Sequence, residues 1–214
     1  MQWLEAVTKR NELAVKRYIK AVESRDMKGY YAATPEKARE LILNMIPKGS
    51  RVGWGGGQSI NQLQLKEAIH SGHYVAVDRE RAKTAAERKE LERQCFFADY
   101  FLMGTNAITE DGQLINLDGN ANRVAALCYG PDHVIVIAGM NKIVRTVEEG
   151  IARVRNFVAP TNAMRFPGNT PCRKLGICGN CHSGDCICCQ LVITRKSFVP
   201  GRIQVVFVNA YLGY

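Results

Sequence analysis

The chain has 214 residues, 46% apolar and 23% charged; this ordinary globular composition is enough to bury one domain's core and argues against extended disorder. No apolar run reaches the roughly 18 residues needed to span a bilayer, and the N-terminal stretch MQWLEAVTKRNELAVKRYIKAV carries charges throughout, unlike the apolar centre of a signal peptide. The net charge of +9 comes from Lys and Arg scattered among acids, as in RERAKTAAERKELER (79–93), with no basic block interleaved with aromatics; nucleic acid and a membrane span are therefore not expected as partners, and a cytoplasmic protein is.

Along residues 3–22, Trp3, Val7, Ala14, Tyr18, Ala21 and Val22 recur near helical spacing and predict an amphipathic helix within an N-terminal segment 1–30. Thr34-Pro35-Glu36 is a helix start, with Thr as N-cap and Pro at the first position; that helix should run to about Ile46 and stop at Pro47-Lys48-Gly49. A short strand then ends in Trp54, and a glycine cluster opens a helix over about 60–70. The strand HYVAVD (73–78), a charged helix (80–95) and the strand DYFLMG (99–104) follow. Glu110-Asp111-Gly112 is a hairpin turn into QLINLD (113–118). A helix over 121–128 leads to HVIVIAG (133–139), and a further helix covers about 145–157. Apolar strands alternating with helices over 31–166 predict an α/β fold, a mostly parallel sheet with helices on both faces. Such sheets bind ligands at the carboxyl ends of their strands. An irregular cysteine-rich segment (167–190) breaks the rhythm, and two strands, LVIT (191–194) and IQVVFV (203–208), complete the domain over 191–214.

Six of the eight cysteines fall in PCRKLGICGNCHSGDCICC (171–189). Disulfides are not expected in a cytosolic chain with a core of this size. A redox dithiol at Cys178-Gly179-Asn180-Cys181 would sit between a strand and a helix, whereas this pair lies in a glycine-rich loop. Metal binding explains the segment best. A CxxC turn points two thiolates at one ion or cluster, outlying cysteines complete four soft ligands, and Gly176, Gly179 and Gly184 let the backbone wrap. Cys172, Cys178 and Cys181 are the clear choices; spacing leaves the fourth open among Cys186, Cys188 and Cys189. Cys95 and Cys128 lie in apolar helical contexts and are expected to be small core residues.

Three stretches together resemble the lactate-utilization (LUD domain) protein family in its short form with a cysteine tail. They are TPEKARELILNMIPKGSRVGWGGGQS (34–59), GTNAITEDGQLINLDGNANRVAALCYGPDHVIVIAGMNKIV (104–144) and TPCRKLGICGNCHSGDCICC (170–189). The resemblance implies the fold of ribose-phosphate isomerases, glucosamine-phosphate isomerases and CoA transferases. It also selects Cys188 as the fourth ligand, with Cys186 and Cys189 turned elsewhere. The cofactor it implies is an iron–sulfur cluster of the 4Fe-4S kind, zinc being the alternative.

Gly55, Gly56, Gly57 and Ser59 follow a strand and open a helix, a place where backbone N–H groups hold anions. No Gly-Lys-Ser/Thr follows, so this is not a Walker loop, and Gln58 stands where a dinucleotide fingerprint has its third glycine. Family members often have a shorter Gly-Gly-Ser loop. Asn106, Asn120, Arg123, Asn141 and Lys142 cluster at predicted strand ends, where Arg123 and Lys142 can clamp a carboxylate or phosphate. Glu110 and Asp118 are candidate acid–base groups. The related isomerases carry acids near Asn106 to Thr109, and this chain has none there, so isomerase chemistry is not expected. The leading expectation is an iron–sulfur-type redox protein of lactate or related hydroxy-acid metabolism, passing electrons to a partner protein and binding a small organic anion at the sheet edge. A zinc-stapled ligand-binding or regulatory protein and a CoA or acyl transferase using Glu110 are the alternatives. An oligomer is compatible with each.

Overall fold

Threonine caps set the starts of three helices in the computed structural model, which describes residues 2–214. Thr34 Oγ1 accepts from the Lys37 N–H at 3.3 Å, Thr84 from Glu87 at 3.1 Å and Thr146 from Glu149 at 3.2 Å, each meeting one of the donors a helix start leaves unpaired. In chain order the elements are α1 (Gln2–Glu23), β1 (Lys28–Ala32), α2 (Pro35–Met45), β2 (Arg51–Trp54), α3 (Gln58–Gln62), α4 (Leu65–Ser71), β3 (Val75–Val77), α5 (Ala85–Gln94), β4 (Tyr100–Gly104), β5 (Ala107–Thr109), β6 (Leu114–Asp118) and α6 (Asn122–Cys128). The chain continues through β7 (His133–Gly139), β8 (Ile143–Val144), α7 (Val147–Arg153), a π-helical stretch (Val154–Val158), α8 (Ala159–Ala163), α9 (Pro171–Leu175), β9 (Gln190–Thr194) and β10 (Ile203–Val208).

Six strands form one parallel sheet in the order β1-β10-β7-β4-β2-β3. Successive side chains alternate between its faces. Leu102, Ile135, Ile137 and Val206 meet Ile42 of α2, Ile60 of α3 and Leu65 and Ile69 of α4 on one side. Phe101, Met103, Val136 and Phe207 meet Val15, Tyr18 and Val22 of α1 and Leu127 of α6 on the other. Both faces are thus buried, which is why these strands read as continuous apolar runs. A second sheet, β8-β5-β6-β9, is mixed: β5 pairs antiparallel with β6 and β6 with β9, while β5 and β8 run parallel. Its strands follow directly from β4 and β7, so it stands at the carboxyl ends of the large sheet, closed against α7 and the π stretch by Ala107, Ile115 and Val154.

The expected α/β architecture is present, with additions. Strands β1, β5 and β8 were not expected; they are three to five residues long or shorter, too brief for periodicity to register. The helix expected over 60–70 is two pieces, broken where Gln64 takes φ 51°. The charged helix begins at Ala85 rather than 80, because Asp78 caps a separate turn (Arg79–Arg81) and Thr84 starts the helix anew. LVIT and IQVVFV part company: β9 edges the small sheet, and β10 inserts between β1 and β7 in the large one.

Candidate anion cleft and cysteine cavity

The cleft lies where the strand order reverses. The glycine loop leaves β2, Thr105 and Asn106 leave β4, and Lys142 leaves β7, so three adjacent carboxyl ends converge. A cavity of about 270 Å³ results, lined by Gly56, Gly57, Ser59, Asn106, Asn120, Arg123 and Lys142 among others. Of the residues singled out from sequence, these and Asp118 share the cleft. Gly55 backs it: a Cβ there would lie 3.0 Å from Cγ and Cδ of Arg123. Asn141 is not a lining residue. Its Oδ1 accepts from the Leu212 N–H at 3.1 Å, tethering the segment that carries Gly213 and Tyr214 to the cleft wall.

Arg123 differs from the expected ligand clamp. Its Nε donates to Asp118 Oδ2 at 3.1 Å; Nη1 donates to the Gly104 carbonyl at 3.0 Å and Asn116 Oδ1 at 2.6 Å; Nη2 donates to Asn106 Oδ1 at 3.2 Å and the Leu117 carbonyl at 3.0 Å. A guanidinium has five N–H donors, and all five are engaged within the protein. Burial lowers the Arg123 pKa, against which Asp118 stabilises the charge. The side chain ties the β4 and β6 ends together and contributes positive field rather than free donors. Asp118, placed among acid–base candidates, is its carboxylate partner.

Lys142 is the contrary case. It is 4% exposed, and its Nζ donates to Ser59 Oγ at 3.1 Å. Burial first, then Arg153 and Arg123, pulls its pKa down from 10.5 to about 7. No carboxylate among the described residues forms an ion pair with it.

Glu110 stands elsewhere. It follows β5, whereas Asn106 precedes it, and four residues of extended chain separate their Cα atoms by roughly 13 Å. Its N–H donates to the Val144 carbonyl at 2.8 Å and its carboxylate faces Arg17 at 3.7 Å, outside the cleft lining. The acyl-transfer alternative therefore lacks its proposed carboxylate at this site.

Sequence reasoning missed the cleft's other arginines. Arg79 reaches over the glycine loop, its Nη2 3.0 Å from where a Gly56 Cβ would sit, while Nη1 donates to Glu92 at 3.0 Å. Arg165 donates to Asn162 Oδ1 at 2.9 Å and, with the Gln58 amide oxygen turned toward it, to that oxygen at 3.0 and 2.8 Å. Neither has a motif around it; each arrives from a different element.

The cysteines ring a second cavity of about 530 Å³. Cys172, Cys178, Cys181, Cys186, Cys188 and Cys189 all line it, with His182. Local geometry explains the wrapping. Pro171 starts the short α9, and Gly176 ends it at φ 75°, its N–H donating to the Cys172 carbonyl at 2.8 Å. Asn180 turns the CxxC loop at φ 47°, a conformation Asn tolerates. Its N–H donates to Cys178 Sγ at 3.5 Å, and the Cys188 N–H donates to Cys186 Sγ at 3.4 Å. Burial, then the neighbouring Cys186, Cys172 and Cys178, pushes the Cys188 thiol up to about 12. Contrary to expectation, Cys186 and Cys189 also face this cavity. The turn closed by the Cys186 N–H on the Ser183 carbonyl brings the CxCC run back on itself, and the Cys189 N–H donates to the Asp118 carbonyl at 2.9 Å. Among the described residues, no three His, Cys, Asp or Glu side chains already surround a point suited to a single ion; the donors are soft thiols spaced around a wider space. Cys95 is buried as expected, whereas Cys128 is exposed.

The two cavities share a wall. Leu117 and Ile187 line both, and a Cβ on Gly119 would lie 3.2 Å from the Ile187 carbonyl oxygen.

A three-layer α/β domain with a polar cleft at the reversal of a parallel sheet, and a thiol-lined annex beside it, is the class these features define. The chain belongs to the LUD domain family, whose model matches residues 15–208, a family associated with lactate utilization. Among solved structures it is similar to a DUF162 family protein from Deinococcus radiodurans, at 17% identity over 93% of this chain and 98% of that one, with a TM-score of 0.56. It is also similar to ribose 5-phosphate isomerase A from Methanocaldococcus jannaschii, at 16% identity over 54% of this chain and 56% of that one, with a TM-score of 0.38. No curated relative matches the chain. Among the described residues, no helix is long and apolar enough to cross a membrane.

Proposed function

We propose that the protein is a redox component of lactate or related hydroxy-acid metabolism, holding a small organic anion in the sheet-edge cleft and an iron–sulfur cluster in the cysteine cavity. The observation that carries this reading is the shared wall: six cysteines line one cavity, and Leu117 and Ile187 line both that cavity and the cation-lined cleft. Cys172, Cys178, Cys181 and Cys188 are the ligands proposed, with Cys186 and Cys189 as close competitors. The Asn180 N–H aimed at the Cys178 sulfur is the kind of contact that tunes such centres. A bound cluster would accept and release single electrons there; Lys142 and the surrounding arginines would attract the substrate's carboxylate. A separate redox protein would be the onward electron partner.

A cavity of this breadth favours a multi-atom cluster over a lone zinc, whose sulfurs lie about 2.3 Å from the metal. Zinc, stapling the C-terminal loop of a binding or regulatory protein, is the second reading. Anaerobic purification with iron, sulfide and zinc analysis and a visible spectrum separates them. Iron and sulfide in cluster proportion, with absorbance bleached by dithionite, is expected. Stoichiometric zinc in a colourless protein would replace the redox reading with the second one.

A further inference from the structure

We propose that Lys142 is a nucleophilic amine that forms an imine with the carbonyl carbon of a small 2-oxo acid held in the cleft. The proposal rests on the reading of the cleft as a small-anion site and names the chemistry and substrate class at that site.

A lysine kept for structure either pairs with a carboxylate or extends its ammonium to water. Lys142 does neither: it is 4% exposed, and its Nζ contact is the Ser59 hydroxyl at 3.1 Å. Two glycines leave room beside the amine. A Cβ on Gly104 would lie 3.4 Å from Nζ, and one on Gly213 would lie 3.3 Å from it. The adjoining cavity of about 270 Å³ suits a metabolite of a few carbons. Arg79 and Arg165, which line the same cleft, supply positive charge for a carboxylate. Burial beside the cations Arg153 and Arg123 holds the amine to about 7, so a large fraction carries a free lone pair at neutral pH. That is how a desolvated lysine next to another cation becomes a nucleophile.

The bond changes balance without any oxidant. The neutral amine adds to the carbonyl carbon, and one of its protons passes to the former carbonyl oxygen, giving a carbinolamine. That hydroxyl takes a second proton from solvent and leaves as water, and the nitrogen retains its remaining proton as the protonated imine. The Ser59 hydroxyl, already in contact with Nζ, is placed to relay a proton.

The test incubates the intact protein, anaerobically, with pyruvate, glyoxylate or 2-oxoglutarate in the presence of sodium borohydride, then maps modified peptides by mass. Binding of the same acids without borohydride is followed in parallel by ligand-observed NMR. Expected is a reduced adduct on Lys142 in preference to surface lysines, absent in Lys142→Arg and reduced by roughly tenfold or more in Gly104→Ala, where a methyl group crowds the amine. Its yield should rise with pH through about 7 rather than near 10.5. Binding without an adduct on Lys142 from any of the three acids overturns the imine and leaves the anion site standing. Labelling spread evenly over exposed lysines also overturns it. Neither binding nor adduct overturns the imine and the anion site together.

Discussion

At Lys142 the cost of burying a charge is offset by no acid, and at Arg123 every donor is met. The two cations line one cleft, yet substitution should affect them in opposite ways. The folded protein holds Lys142 near 7, below the 10.5 of an ordinary lysine, with Arg123 and Arg153 facing it and Ser59 its hydrogen-bond contact. Between those values the unfolded chain binds the additional proton, so stability rises with pH across that window and the full penalty is present below it. Lys142→Met should therefore raise stability by about 2–4 kcal/mol at pH 6 and by much less near pH 10. Urea unfolding at the two pH values checks this; a destabilised variant at pH 6 would contradict it. The same variant should lose affinity for a small carboxylate. Arg123→Ala should instead destabilise by about 3–5 kcal/mol, because it strands the Asp118 carboxylate and the Asn116 amide oxygen. From sequence, Arg123 was expected to clamp a carboxylate or phosphate; its five internal hydrogen bonds give it a structural task instead.

Among the elements, the cysteine segment depends most on what it binds. It has no sheet pairing between Pro171 and Cys189, and its described backbone ties are short turns plus the bond from Cys189 to Asp118. Ligated thiolates would act as its cross-links, since metal affinity and local folding are coupled. Cys178→Ser and Cys181→Ser should each lower the metal content and speed amide exchange over 170–189, leaving β10 as protected as before. Hydrogen-exchange mass spectrometry reads both regions in one experiment; unchanged exchange in the loop would show that metal does not order it. Comparing Cys186→Ser, Cys188→Ser and Cys189→Ser decides the fourth ligand, since all three residues line the same cavity.

Across the whole molecule, the decisive event is the return of the chain's last strand. β10 pairs in register with β1, Lys28 opposite Gln204, and with β7, Ile203 opposite Val134. Its side chains supply both cores, Val205 and Phe207 to one face and Val206 and Val208 to the other. Without it, β1 loses its partner in the sheet and two apolar faces open to water. Deleting residues 203–214 should abolish the cooperative unfolding transition and the sharp near-ultraviolet dichroism, rather than trim an edge. Because these pairings join distant parts of the chain, folding should also be slow for a domain of this size.

Sequence alone determined the alternation of strands and helices, the Thr34-capped helix start and the clustering of six cysteines, because each is written in neighbouring residues: apolar runs, a cap three positions before the N–H it accepts from, a CxxC turn. It also located the glycine loop and Lys142 at strand ends, where a parallel sheet gathers them. The three-dimensional structure alone decided that Arg123 is fully engaged, that Glu110 faces away, that Asn141 tethers the C-terminal segment, and that Arg79 and Arg165 join the cleft. It alone placed β9 and β10 in different sheets and gave the cleft and the cysteine cavity a shared wall. These depend on which partners meet across long stretches of chain, and hydrogen-bond saturation and shared cavity walls are properties of that meeting rather than of any local run of residues.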